Sequence, residues 1–243
     1  MRRTYVYFIS LLIALINGMG IVHAQDTILV PLKIKAGLEV SGPALYFSEK
    51  KILNAEGFIS ADINEKVAVV LNAGYLNYKY SQYNYEYLNK GAFIRAGVDF
   101  NLLKPEKSQG KYWAGVGLRY GLSIFNSEVP SFKQENYWGT TTSSIAKKTY
   151  LSHFLEVSPG VRAEVFRNFS MGWTISLRRL LHTGTGKDLR PIYFPGFGNG
   201  GKSFSTGFNY FIVWNITYKK INVIIKKKVP EESEETETTG SGQ

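Results

Sequence analysis

Residues 112–122 read Tyr-Trp-Ala-Gly-Val-Gly-Leu-Arg-Tyr-Gly-Leu, and this stretch decides the fold class. Apolar residues occupy every second position, with glycine, arginine and one tryptophan between them. That period is typical of a β-strand with two different faces, whereas a helix repeats its apolar residues at every third or fourth position. The stretch therefore predicts a strand, one face of which carries glycine and arginine.

The same alternation recurs between residues 32 and 219, and it predicts eight strands. They are 32–47, 54–63, 66–80, 90–103, 111–125, 149–165, 169–181 and 203–218. Most reach the ~9–11 residues that a tilted strand needs to cross a bilayer. Short connections at 64–65, 104–110 and 167–168 alternate with longer ones at 48–53, 81–89, 126–148 and 182–202. Short periplasmic turns and long outer loops are typical of outer-membrane barrels. The sequence thus predicts an all-β, antiparallel, up-and-down transmembrane barrel, with both of its ends on the periplasmic side.

The polar face of these strands carries six basic and six acidic side chains, although the whole chain has a net charge of +10. An eight-stranded barrel has an interior barely wide enough for side chains, and an unpaired buried charge costs several kcal/mol. A balanced set therefore indicates a filled interior, or lumen, with an ion-pair network. Its predicted members are Lys33, Lys35, Glu39, Glu56, Asp62, Arg95, Asp99, Arg119, Glu156, Arg162, Glu164 and Arg178. The alternative is a soluble sandwich or lipocalin-like barrel, in which the apolar face would point inward.

Aromatic residues collect near both ends of the predicted strands, as the interfacial girdles of a membrane barrel do. Those near the turns are Phe100, Tyr112, Phe169, Trp214 and Tyr218. Those near the loops are Tyr46, Tyr75, Tyr78, Tyr80, Tyr87, Tyr150 and Phe204. Glycine recurs on the opposite, polar face, which suits a narrow interior.

The two termini differ from the body of the chain. Residues 1–24 read as a secretory signal peptide, with Arg2 and Arg3 before an apolar run and Val22-His23-Ala24 before a cleavage point. The alternative is a retained anchor, but the run is short for a membrane span. Residues 25–220 form the predicted barrel, and residues 221–243 are expected to be an acidic, disordered periplasmic tail. We therefore expect the outer membrane of a Gram-negative bacterium.

On this pattern the chain resembles the small eight-stranded outer-membrane barrels of the OmpA transmembrane and OmpX type. The resemblance covers about 32–219 and rests on strand number and alternation, without a diagnostic motif. It is also similar to secreted barrel proteins grouped only by unknown function. The resemblance implies a monomer surrounded by membrane lipid. A segment after the last predicted strand, 221–228, departs from simple barrels, which usually end on an aromatic residue.

Chemistry-bearing residues are sparse. There is no cysteine and there are three histidines, one of them inside the predicted signal peptide. Outer-membrane lipid A deacylases use a His-x-Ser pair, but His153 is followed by Phe-Leu and His182 by Thr-Gly. A serine nucleophile needs a base within hydrogen-bond reach, and no such spacing is visible. We expect no catalytic, cofactor-binding or metal-binding residues, with a lipid-modifying enzyme or a narrow pore as alternatives.

The loops carry the remaining candidates. Lys147, Lys148 and Arg179 are predicted to contact lipopolysaccharide phosphates near the upper rim. Tyr193, Phe194 and Phe197 form either a loop contact patch or a cluster that packs over the barrel mouth. No basic helix or interleaving of aromatic and basic residues suggests nucleic-acid binding. The sequence thus predicts a plugged, non-enzymatic barrel with four surface loops that acts in envelope structure or surface interaction, with an unidentified surface or periplasmic protein as a further partner.

Overall fold

The computed structural model describes residues 27–49, 52–184 and 191–225. The strands are β1 (Thr27–Glu39), β2 (Ile52–Asp62), β3 (Val67–Gln82), β4 (Tyr85–Asn101), β5 (Tyr112–Asn136), β6 (Gly139–Phe166), β7 (Phe169–His182), β8 (Tyr193–Phe194), β9 (Gly198–Asn199) and β10 (Phe204–Ile224). Two helices, α1 (Ser41–Glu49) and α2 (Pro105–Ser108), lie in connections. The predicted signal peptide, and residues 226–243 of the predicted tail, fall outside the described residues.

Eight strands close into a barrel in the order β1-β10-β7-β6-β5-β4-β3-β2. Each strand pairs antiparallel with its neighbour in the chain, as in Gly57↔Ala73 between β2 and β3. The short β8 and β9 form a separate hairpin in the connection between β7 and β10. The predicted eight-stranded, antiparallel, up-and-down barrel is confirmed.

The apolar face of the barrel points outward. Ile59, Leu71 and Ile175 are 60%, 47% and 42% exposed, whereas the inward Arg95 and Glu156 are 2% and 1% exposed. A soluble barrel would bury the apolar residues, so these exposures contradict the soluble alternative. The interior is filled with side chains and holds the buried charged residues, so the predicted polar interior is confirmed for the middle of the barrel.

The first strand is shorter than predicted. It ends at Glu39 rather than at residue 47, and α1 follows. The Glu39 carboxylate accepts hydrogen bonds from the backbone N–H groups of Ser41 (2.8 Å) and Gly42 (2.9 Å). Those N–H groups have no partner within the helix, so the carboxylate caps the helix start. Pro43 suits the first turn, where its missing N–H costs nothing.

Two of the predicted loops are largely strand. β3 and β4 pair as far as Gln82↔Tyr85, and β5 and β6 as far as Asn136↔Gly139, so only residues 83–84 and 137–138 turn. The pairing of β5 and β6 shifts register between Ser127 and Phe132. Beyond these shifts, residues 133–144 are exposed on both faces. The polar–apolar alternation that identifies a strand in sequence is therefore absent there.

Neither helix in the described part of the chain is long and apolar enough to span a membrane.

The chain divides into two compact units. Residues 29–221 form the unit that holds the barrel. Of the second unit, the described residues are 27–28 and 222–225. Residues 27–28 begin β1, and β10 ends at Ile224.

Candidate functional site

The centre of the barrel is organised around one carboxylate, that of Glu156 on β6. Its Oε1 accepts a hydrogen bond from Arg119 (3.0 Å), and its Oε2 accepts one from Arg178 (2.7 Å). Arg95 donates to the same Oε2. Strands β4, β5 and β7 each supply one of these cations, so a single buried acid ties four strands together.

The network extends from these arginines to both sides. Arg95 pairs with Glu56 on β2, and Arg119 donates to Asp99 on β4 at 2.8 Å. Asp99 in turn lies 3.8 Å from Arg162. Each of these ion pairs joins two different strands. Every acid of this central network pairs with at least one guanidinium group. This arrangement offsets the desolvation that makes unpaired buried charges costly.

A second group of ion pairs lies toward the turns. Lys33 pairs with Glu164, and Lys35 pairs with Asp62. With the central network, eleven of the twelve predicted lumenal charges are in ion pairs within the described structure. The twelfth, Glu39, pairs with no cation among the described residues and caps α1 instead.

The loop end of the interior is aromatic rather than charged. Phe194 and Phe197 stack with ring centroids 4.9 Å apart, and Phe194 also stacks on Phe125 at 5.1 Å. Both loop rings are fully buried. The hypothesis of an exposed contact patch is therefore wrong for Phe194 and Phe197. Packing over the barrel mouth removes their apolar surface from water.

The third member of the predicted patch, Tyr193, is partly buried in the same place. Its ring stacks on Tyr78 at 5.2 Å. Burial raises the pKa of the Tyr193 hydroxyl, and the weaker opposing effect of nearby Arg178 leaves it raised. The side chain thus stays neutral, as suits a residue packed on an aromatic cluster.

Several residues of the predicted loop-side girdle belong to this interior cluster. Tyr78, Tyr87 and Tyr150 point inward and are at most 9% exposed. The prediction of an outward girdle is wrong for these three, while Tyr75 and Phe204 do face outward. The cluster consists of Leu76, Tyr78, Tyr87, Phe125, Val129, Tyr150, Phe154, Phe194 and Phe197.

The alternation along β3 keeps its period but exchanges its faces. Val69 and Leu71 are exposed and Asn72 is buried, whereas further along the same strand Lys79 is exposed and Tyr78 is buried. The outward side therefore changes from apolar to polar beyond Tyr75. The inward side is mixed below this level, where Val70 and Asn72 are both buried, and it is apolar above it at Leu76 and Tyr78.

Inward glycines make room for inward aromatic rings on the neighbouring strand. A methyl group added at Gly121 would lie 2.4 Å from Phe154, and one at Gly37 would lie 2.2 Å from Phe58. Both are directly opposed pairs, Gly121↔Phe154 and Gly37↔Phe58. Gly37 and Gly121 thus each accommodate a specific ring, whereas Gly117 and Gly207 make room for the charged side chains of Asp99 and Arg178.

The cations predicted to contact lipopolysaccharide lie in different places. Arg179 is exposed on β7 with its guanidinium over the ring of Phe204, 5.7 Å from the centroid. Lys147 lines a groove of about 330 Å³ together with Lys79, Lys90 and Glu128. Lys148 is exposed and lies opposite Ser127. Sequence reasoning missed Lys79 and Lys90. They come beside Lys147 only because β3, β4, β5 and β6 pair in succession.

The family model described as a domain of unknown function, DUF6048, matches residues 4–220. The chain belongs to the DUF6048 family. No curated protein matches it.

Solved structures similar to this DUF6048 protein are small eight-stranded outer-membrane barrels, the class that the sequence resembles. Neisserial surface protein A is 12% identical with a TM-score of 0.37, and covers 80% of this chain and 100% of its own. Ail, the attachment invasion locus protein of Yersinia pestis, is 9% identical with a TM-score of 0.34 (77% and 97% covered). The N-terminal barrel domain of Pseudomonas aeruginosa OprF is 10% identical with a TM-score of 0.32 (79% and 98%). At these values the likeness carries no argument about function, and the barrel is established by the chain's own strand pairing.

The two histidines of the DUF6048 barrel meet on its outer face. His153 and His182 lie opposite each other on β6 and β7, with ring centroids 5.5 Å apart. The Nδ1 atom of His153 is hydrogen-bonded to the hydroxyl of Tyr120 at 2.7 Å. Ser152, the adjacent serine, is fully buried on the opposite, inward face. Within residues 27–49, 52–184 and 191–225, no three His, Asp or Glu side chains cluster as metal ligands would.

Proposed function

We propose that this chain is a non-enzymatic, monomeric outer-membrane barrel with a sealed lumen, which acts in envelope structure or surface interaction. The observation that carries the proposal is the orientation of its two faces. Large apolar side chains cover the outside of all eight strands, while the paired charges lie inside. In hydrocarbon, closure satisfies the backbone hydrogen bonds and only the side chains must suit lipid.

The exchange of faces along β3 supports the same environment. Below Tyr75 the outward residues suit lipid, and above it Asn77 and Lys79 suit water. The hairpins of β3–β4 and β5–β6 continue beyond this level with polar outward residues. A barrel that passes from a bilayer into water needs such a change, because the outside solvent changes while the strands continue.

Membrane fractionation and gel migration test the location. We expect the chain to sediment with the outer membrane, to need detergent for extraction, and to migrate differently in a gel before and after heating. A folded protein that dissolves without detergent would contradict the proposal. If the barrel is not a lipid-modifying enzyme, mass spectrometry should find the same lipid A in cells that express this protein and in cells that do not.

Two layers of side chains support a sealed lumen rather than a pore. The network around Glu156 joins β2, β4, β5, β6 and β7 across the middle, and the aromatic cluster fills the loop end. Planar-bilayer recording should therefore find no steady conductance. A reproducible single-channel current would favour the narrow pore instead.

Contact with lipopolysaccharide is proposed at the outward cations. Exposed arginine and lysine side chains at the edge of an apolar belt attract anionic phosphates. The groove that Lys147 lines also contains Lys79, Lys90 and one acid, Glu128, and so adds two further cations. Replacing Arg179 and Lys148 with alanine should reduce the lipopolysaccharide that co-purifies with the barrel, whereas unchanged retention would count against the contact.

A further inference from the structure

The barrel wall has a gap at its loop end, between β2 and β10. β1 ends at Glu39, and the backbone N–H of the next residue, Val40, donates to the carbonyl of Tyr210 at 2.9 Å. Beyond the pair Leu38↔Gly57 that it forms with β1, β2 continues to Ile52. β10 likewise extends from Tyr210 to Phe204. These two strand ends therefore have no strand between them.

Helix α1 packs on the β2 side of this gap and reaches β10 through Ser41, whose Oγ lies 3.5 Å from the carbonyl oxygen of Phe208. A methyl group added at Gly42 would lie 2.3 Å from the carbonyl oxygen of Asn54, so the helix start packs directly on β2. The space that remains borders β10 and forms a cavity of about 700 Å³. That volume lies within the roughly 300–1,000 Å³ of ordinary ligand pockets.

The cavity joins the outer surface to the lumen. Its outer rim includes Leu45 on α1 and Phe208 on β10, which are 64% and 59% exposed. Its inner wall includes the buried side chains of Glu39, Arg178 and Asn209. One end is thus apolar and the other is polar and charged.

The rim lies at the depth of the apolar belt. Phe208 stacks on Trp173, another outward residue, at 6.2 Å, and pairs with Ile175. An occupant with an apolar part toward the membrane and a polar part toward the lumen would cover this opening.

The charges on the cavity wall indicate which charge the polar part of the occupant carries. Among the residues that the structure describes, three charged side chains line the cavity, Glu39, Glu56 and Arg178. Glu56 is paired with Arg95, and Arg178 with Glu156. Glu39 lacks a cation partner among the described residues. Its carboxylate accepts from the backbone N–H groups of Ser41 and Gly42 and from the Ser41 hydroxyl, which leaves about one of its four acceptor sites for a ligand. The wall therefore favours a cation.

We propose that this cavity is a binding site for a membrane amphiphile with an aliphatic chain and an amine-bearing, cationic head. The chain lies against Leu45 and Phe208, and the head pairs with Glu39. The inference rests on the proposed membrane location, because the amphiphile enters sideways from the bilayer.

Photo-crosslinking tests the site with a defined probe. The full chain in neutral alkyl maltoside micelles is exposed to a long-chain alkylamine with a diazirine on its chain, or to the matching alkyl sulfate. Labelled peptides are mapped by mass spectrometry. We expect the amine to label residues 41–49 and 204–209 several-fold more than other outward segments, and the sulfate to show no such preference.

Variants separate the head from the chain. Glu39→Gln keeps an oxygen for the helix cap but loses the charge, and should reduce amine labelling about tenfold, since hydrogen bonds to charged groups contribute about 1.5–3 kcal/mol. Ala44→Trp should block the cavity from α1 and abolish site labelling with both head groups. Ala96→Trp, on the outward face of β4, is the matched control and should leave labelling unchanged.

Three results would overturn the inference: even labelling around the barrel, equal site labelling by the sulfate, or a crosslinked dimer showing that a second copy covers the gap. Heat-dependent migration of each variant is measured in parallel. A variant that keeps this shift but labels evenly contradicts the site alone. Loss of the shift in the unaltered chain contradicts the membrane barrel itself.

Discussion

The middle of the lumen and its loop end are built from inward residues of the same strands, yet one is charged and the other aromatic. On β6, Glu156 binds three arginines, and Phe154, two residues away, packs against Phe197. Both side chains are at most 1% exposed. Burial alone therefore does not decide which chemistry fills a barrel.

The difference lies in what surrounds the wall. At the level of Glu156 the outside is apolar, and paired charges inside hold the strands together without presenting charge to lipid. Along β3 the outside becomes polar beyond Tyr75, and there the inward Tyr78 belongs to the aromatic cluster, so the hydrophobic effect again favours apolar residues inside. The loop end thus buries apolar residues, as a soluble barrel does. The middle buries paired charges and exposes apolar residues, as a membrane barrel does.

Removing the central acid should have the largest effect. Glu156→Gln leaves Arg95, Arg119 and Arg178 without their shared carboxylate, and breaking a buried ion pair costs about 3–5 kcal/mol. We expect the unfolding midpoint in urea to fall for the whole barrel. The control Glu135→Gln, at an exposed position of the β5–β6 hairpin, should not change it. A normal midpoint for Glu156→Gln would mean that the network contributes little.

Removing a ring from the loop end should act more locally. Phe197→Ala deletes a fully buried ring and should cost about 3 kcal/mol, the lower end of the range for such changes. We expect faster proteolysis within the connection between β7 and β10, with the heat-dependent gel shift retained. Tyr137→Ala, at a 94% exposed position, serves as the control. Loss of the gel shift would show that the aromatic cluster holds the whole barrel.

A charge scan along one face of β3 locates the change of surroundings. Leu71→Arg places a charge in the apolar belt and should cost about 2–4 kcal/mol in a bilayer, whereas Asn77→Arg should cost about 0–1. Both are measured by urea unfolding in phosphatidylcholine vesicles. Equal costs at the two positions would contradict a boundary near Tyr75.

The smallest expected effect is that of filling one glycine. Gly121→Ala brings a methyl group to 2.4 Å from Phe154, and overpacking of this kind costs about 1–3 kcal/mol. The double variant Gly121→Ala with Phe154→Leu tests the contact, because the ring is then absent. If alanine costs the same in both backgrounds, the ring is not the reason for the glycine.

Much of the barrel was predictable from local pattern. Alternation with a period of two predicted eight strands with two distinct faces, because a strand's two faces are set by residues adjacent in the chain. The aromatic residues near the strand ends, and the glycines and balanced charges on one face, predicted which face points inward. The pairing of Glu156 with three arginines was not predictable, since it depends on the register of four strands.

Only the tertiary structure decided the rest. The sequence left open whether Phe194 and Phe197 form an exposed patch or pack over the barrel mouth, and they are buried because the loop folds back onto rings from β5 and β6. Residues 41–47 are predicted as the end of the first strand, yet they form most of a helix whose start Glu39 caps. The sequence by itself determined which side chains share a face. Long-range packing decided what each face meets, because the partners come from strands and loops far apart in the chain.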